Sequence, residues 1–133
     1  MNETFVYVPF ETLVEAQVFV GANYQQKVTI TPQGGGPYPP IEGHGGEDKE
    51  IGHWMIPTGA AEAGKEGFLI KVAVENNDGS GWKVAPVVVS RRCSAAAFTA
   101  FFLVSEDSTD RDWNDCVVMF SWSTPLGGAA DSG

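Results

Sequence analysis

The chain has 133 residues, a formal net charge of −9 and two cysteines. That length fits one domain with a real core. The charge argues against nucleic acid or an anionic membrane as partner, and no apolar run is long enough to cross a bilayer as a helix. Cys93 and Cys116 are able to pair but give no framework; two free, buried thiols in a reducing compartment fit better. Met1-Asn2-Glu3-Thr4 has no basic region and no signal-type apolar core, so no classical export signal is expected. The localisation that follows is cytoplasmic synthesis, with non-classical release or surface association.

In chain order the periodicity is that of strands. Phe5-Val6-Tyr7-Val8 stops at Pro9, where a ladder would lose a donor. Ala16–Val20 and Lys27–Ile30 flank the polar turn Gly21-Ala22-Asn23-Tyr24-Gln25-Gln26 and predict a hairpin. The segment from Gln33 to Glu50, rich in Gly and Pro, reads as a long surface loop. Within it and just beyond, His44 and His53 lack a second ligand at diagnostic spacing and receive no role. Phe68–Val74 runs into Glu75-Asn76-Asn77-Asp78-Gly79-Ser80-Gly81, a strong turn signal. Trp82–Ala85, Val87–Val89, Phe98–Val104 and Val117–Trp122 complete the set. No helical period is sustained over three turns. Many short strands in a chain of this size predict an all-β antiparallel sandwich with Greek-key or jelly-roll-like topology.

Between the last two strands lies Ser105-Glu106-Asp107-Ser108-Thr109-Asp110-Arg111-Asp112-Trp113-Asn114-Asp115. It crowds five carboxylates and one carboxamide into eleven residues, and its five acids and one arginine net to −4, nearly half of the whole chain's excess. Such carboxylates repel one another unless a cation sits among them. Calcium, which takes six to eight oxygens, is the cation they suit. A merely solubilising loop would mix its signs, and Trp113 points to a packed loop. An EF-hand is excluded: counted from Asp110, no Gly stands at the sixth position and no Glu at the twelfth.

Loop and strand together resemble the LecB-like family of soluble bacterial lectins, which bind fucose and mannose through two calcium ions. The family carries a Ser-Glu-Asp-Gly-Thr-Asp-x-Asp-Tyr-Asn-Asp loop, then a valine-rich strand ending in Trp-Pro-Leu-Gly. Here the end reads Trp122-Ser123-Thr124-Pro125-Leu126-Gly127. The N-terminal strand, the Val18–Val20 strand with its turn, and Phe68–Gly79 are similar as well. The likeness is weak from Gln33 to Gly67, which reads as an insertion. The resemblance implies a lectin domain over residues 1–127 and a C-terminal tail over 128–133.

It also implies roles. Glu106, Asp110, Asp112 and Asp115 match the ligands of one calcium; Asp112, Asn114 and Asp115 match those of a second, with Asp112 and Asp115 bridging. Gly21 falls where the family supplies a backbone carbonyl, and Ala22, Asn23, Tyr24 and Asp107 face the sugar. Vicinal hydroxyls of one monosaccharide would coordinate both ions, so Asp110, Asp112 and Asp115 also stand in the sugar site. Ala at the position of Ala22 goes with mannose in the family, where Ser goes with fucose. Three departures stand out: Ser108 replaces Gly, Trp113 replaces Tyr, and residues follow Gly127. Family chains end at that glycine, and its carboxylate enters the neighbouring subunit's site; with Gly127 internal, the second calcium loses a charged ligand. A homodimer through strand or sheet contacts is expected, with Phe101, Phe102, Val118 and Phe120 as surplus apolar surface. Two other readings remain: a calcium-stabilised structural or adhesion module without sugar, and a hydrolase using Glu106 and Asp110 as an acid/base pair. Metal on those carboxylates disfavours the hydrolase.

Overall fold

The computed structural model describes residues 4–21, 24–45, 49–105 and 116–123. They form eleven strands: β1 (Thr4–Val8), β2 (Leu13–Val20), β3 (Gln25–Pro32), β4 (Ile41–Gly43), β5 (Lys49–Pro57), β6 (Phe68–Asn77), β7 (Trp82–Val84), β8 (Val87–Val89), β9 (Cys93–Ala95), β10 (Phe98–Ser105) and β11 (Cys116–Ser123). One sheet runs β1-β6-β3-β4, with β7 beside β1 along the same flank of β6; the other runs β5-β2-β11-β10-β8, with β9 also on β10. Every pairing is antiparallel. This is the two-sheet sandwich expected from the short alternating strands.

Alternation builds the core. Along β6 every second side chain from Phe68 to Val74 is buried; so are Val14, Ala16, Val18 and Val20 along β2. On β10 and β11, Phe101 faces Phe120 in register, and the rings stack with centroids 5.2 Å apart and planes 11° apart. Trp122 meets Phe101 edge-on at 6.1 Å. Aromatic pairs of this kind add to area burial.

Two seams join the sheets. At one, Gly43 and Gly52 lack the Cβ that would strike Ile51 and Ile41, at 2.8 Å and 2.9 Å respectively. Each glycine thus makes room for the isoleucine of the other strand, and β4 closes on β5. Ile51 is the extra residue of a bulge, since Val18 pairs with Gly52 and Phe19 with Glu50. At the other seam the Arg92 guanidinium lies over the Phe101 and Trp122 rings, 5.1 and 5.3 Å from their centroids, and donates to the Tyr7 carbonyl on β1.

Several expectations need correction. β2 and β3 are no hairpin: β2 pairs with β5 and β11, β3 with β4 and β6. The connection after Val20 crosses between sheets, because both strands bury a complete apolar face and each finds a longer partner elsewhere. The Gly- and Pro-rich stretch from Gln33 to Glu50 is no simple surface loop. It contributes β4 and leads into β5, which pairs with β2 along eight positions. The Gln33 side chain accepts from Leu69 N–H at 2.8 Å, and the Trp54 indole donates to the Pro39 carbonyl at 3.0 Å. Neither cysteine forms a disulfide, and only Cys116 is buried; Cys93 is exposed on the short edge strand β9. Finally, Phe101, Val118 and Phe120 belong to the core, and only Phe102 of the four surplus apolar residues is exposed, at 38 %.

Those opposite fates of adjacent phenylalanines can be measured. Phe101→Ala should cost about 3–5 kcal/mol in denaturant unfolding, whereas Phe102→Ala should cost no more than about 1 kcal/mol. Equal losses would contradict the register.

Candidate functional site

The acidic loop's residues Glu106, Asp107, Asp110, Asp112, Asn114 and Asp115 lie outside the described residues, as do Ala22 and Asn23. Its anchors do not. Ser105, the last residue of β10, is the register partner of Cys116, the first of β11. Cys116 in turn pairs with Val20, the last residue of β2, and Val20 pairs with Lys49. Four strands therefore begin or end together, and the ten residues 106–115 connect two adjacent strands at that end. Gly21 follows directly on Val20. The sheet thus brings the backbone position expected to donate a carbonyl beside the mouth of the carboxylate-rich loop, 85 residues apart in sequence.

Buried polar side chains hold this end. Ser105, 1 % exposed, donates its hydroxyl to the Cys116 carbonyl at 3.3 Å and so ties the two strands where the loop leaves them. On the facing sheet Gln26, fully buried, donates its amide to the Tyr24 carbonyl at 3.2 Å. That bond fixes the far side of the crossover carrying Gly21 and Tyr24. Tyr24 itself is exposed. Gln25 and Gln26 pair with Asn77 and Asn76, so the β6–β7 turn shares this end. There the Ser80 hydroxyl and N–H donate to Asp78, which with Lys83 nearby hold its carboxyl below the usual range.

Ser105 and Gln26 received no role from the sequence, although Ser105 opens the motif. A serine closing a valine-rich strand and a glutamine in an apolar strand were the available signals. Of the histidines, His53 on β5 is register partner of Gln17 and lies 3.8 Å from Glu50. Among the described residues no group of three His, Cys, Asp or Glu side chains could hold a metal. The loop anchors alone supply no metal site, and the chemistry of its donors rests on the residue types: carboxylates and an amide oxygen, the hard ligands calcium takes.

Solved structures place this architecture in a class. The fold matches a lectin of Chromobacterium violaceum, solved in complex with alpha-methyl-fucoside, at a TM-score of 0.73 and 23 % identity, covering 91 % of this chain and 96 % of that one. It also matches a high-affinity mannose-binding lectin of Ralstonia solanacearum, at 0.72 and 22 %, covering 91 % and 96 %. The C-terminal domain of the Burkholderia cenocepacia lectin BC2L-C follows at 0.71 and 19 %, covering 92 % and 97 %. No curated protein sequence matches the chain significantly. The shared architecture is a lectin β-sandwich. Residues 6–124 match the model of the fucose-binding lectin II (PA-IIL) family, and the chain belongs to that family. It is a carbohydrate-binding protein, not an enzyme.

If Ser105 closes the loop's mouth, Ser105→Ala should destabilise the fold by about 1 kcal/mol. In hydrogen exchange it should speed opening at Cys116 and Val117 more than at Phe120. Uniform acceleration along β11 would mean the hydroxyl has no local role.

Proposed function

We propose that this lectin binds mannose- or fucose-type monosaccharides through calcium held by the loop 106–115. The observation that carries this is the meeting of Ser105, Cys116 and Val20 at one sheet end, which sets the loop's anchors beside Gly21 in a chain of the fucose-binding lectin II family. The ligand set is that of the motif: Glu106, Asp110, Asp112 and Asp115 for one ion; Asp112, Asn114 and Asp115 for a second, with the Gly21 carbonyl contributing. Sugar hydroxyls would replace water on the ions and donate charge-assisted hydrogen bonds to the anionic ligands. Asp107, Ala22, Asn23 and Tyr24 would border the sugar. The relatives support both sugar types, one being solved with a fucoside and one described as mannose-binding.

The same reading includes a homodimer. On the outer face of the larger sheet, Val88, Val104, Val117 and Phe19 are successive register partners across four strands, with Phe102 opposite Met119 in the next row. A second copy covering this band would bury apolar area that a monomer leaves in water. This replaces the core residues Phe101, Val118 and Phe120 as the contacting surface.

Crowded acids without metal repel, so chelator should lower the melting temperature. At a hundred times its dissociation constant each ion adds about 2.7 kcal/mol, and Asp112→Ala should abolish the difference between calcium and chelator. A melting curve indifferent to chelator would overturn the calcium site.

With calcium present, calorimetry should show methyl mannoside binding more tightly than methyl fucoside, as Ala22 implies, and neither binding in chelator. A tighter fucoside would reverse the preference alone; sugar binding in chelator would overturn the mechanism.

A further inference from the structure

Two routes lead from the anchors of the loop 106–115 to one tryptophan on the facing sheet. Ser105 pairs not only with Cys116 but also with Val87, the first residue of β8. Only four residues separate Val87 from Trp82, the first residue of β7. Within that link Ala85 is fully buried and its N–H donates to the Val74 carbonyl at 2.9 Å, which pins the crossing between the sheets. The other route is the crossover from Gly21, which ends at Tyr24 and Gln25. Gln25 pairs with Asn77, and Asn77 pairs with Trp82. Two strand spacings put Trp82 roughly 10 Å from Gln25. That span is longer than one monosaccharide and within the reach of a trisaccharide.

Trp82 is placed unlike the other described tryptophans. Trp54 and Trp122 belong to the core, whereas Trp82 lies half-buried on a strand of three residues. Its indole N–H donates to no described residue. The ring is nevertheless held in place, with the Lys27 ammonium 4.3 Å from its centroid and 3.6 Å from the Glu75 carboxylate. A cation over an exposed ring contributes only about 0.5–1 kcal/mol, so Lys27 orients the indole more than it stabilises the fold.

The turn before Trp82 supplies polar groups beside the ring. The Asn77 Oδ1 accepts from Gly79 N–H at 2.8 Å and Gly81 N–H at 3.1 Å, and both glycines have left-handed φ, 107° and 118°. This leaves the Asn77 amide nitrogen as a donor. Asp78 accepts from Ser80 through Oδ1, while its Oδ2 lies 3.8 Å from the Lys83 ammonium, beyond hydrogen-bond distance, and remains an acceptor. A pyranose has one face of C–H groups and a rim of hydroxyls. An aromatic ring bordered by an amide donor and a carboxylate acceptor matches both parts. Lys27 and Lys83 already face carboxylates, so no cation is spare for an anionic sugar, and Asp78 would repel one.

We infer that Trp82 and the turn 77–81 form a subsite for neutral sugar units linked to the calcium-bound monosaccharide. The ligand is then an oligosaccharide, a conclusion that rests on the calcium-dependent reading above. Trp82 takes the C–H face of a distal unit, the Asp78 carboxylate accepts from a hydroxyl, and the Asn77 amide donates to one.

Titration calorimetry of the full chain with calcium would compare methyl mannoside with mannotriosides in each of their common linkages. At least one mannotrioside should bind about fivefold tighter than methyl mannoside, the scale of one aromatic stacking contact. Trp82→Ala should remove that gain and leave methyl mannoside binding unchanged, which also shows that the variant is folded. Trp82→Phe should keep part of the gain. In the unsubstituted chain the Trp82 indole N–H resonance, assigned by its absence from Trp82→Phe, should shift with the trisaccharide and stay in place with methyl mannoside. This readout does not depend on the alanine variant folding. The inference alone is overturned if no linkage gives a gain, if the gain survives Trp82→Ala, or if the indole resonance ignores the trisaccharide. An equal loss with methyl mannoside also overturns it, by placing Trp82 in the first site. If methyl mannoside itself does not bind in calcium, the underlying reading fails and the subsite falls with it.

Discussion

The register between β10 and β11 is the constraint on which the rest depends. Side chains alternate across a strand, so a slip of one residue would send every core residue of β11 to solvent. The stacked pair Phe101 and Phe120 helps to prevent that slip, with Trp122 packed against the same ring. With the register set, Ser105 must meet Cys116, and the intervening ten residues must leave and return at adjacent strands. The pairing of β11 with β2 then brings Val20, and so Gly21, to the same place. Core packing in the middle of the sheet thereby decides which backbone groups meet at its end.

The sandwich is closed by different physics at its two seams. Absence of side chain does the work between β4 and β5, where two glycines admit two isoleucines and a bulge supplies one of them. Presence of a long side chain does it near β1, where one arginine spans from a backbone carbonyl to two rings of the opposite sheet. The ends of the strands are thus free to carry polar groups without bearing the burden of holding the sheets together. Buried polar side chains follow that division: Gln26, Asn76 and Ser105 lie at the loop end, Thr58 and Ser121 at the other.

Charge is divided along the same axis. The loop's five acids and one arginine hold nearly half of the chain's net charge of −9, on a connection whose anchors are buried. Concentrating anions on a short connection is unfavourable unless a cation neutralises them, so the proposed calcium would couple fold and ligand thermodynamically.

By itself the sequence determined the fold class, because strict alternation with short runs is compatible with a sandwich and not with helices. It also showed which oxygen donors the loop holds, since closely spaced carboxylates and an amide are legible in residue types alone. The segment Phe98–Val104 and the strand after the loop were placed to within a residue or so for the same reason. Tertiary structure alone decided which strands pair. Local alternation says that β2 and β3 each have an apolar face, yet it cannot say that those faces belong to opposite sheets, because pairing depends on residues far away in sequence. The same nonlocality hid β4 and β5, whose glycines read as loop until Ile41 and Ile51 are seen filling the space they leave. It sorted Phe101 from Phe102, and it made Ser105 a clasp rather than the first letter of a motif. Contact across the chain, not composition, settles each of these.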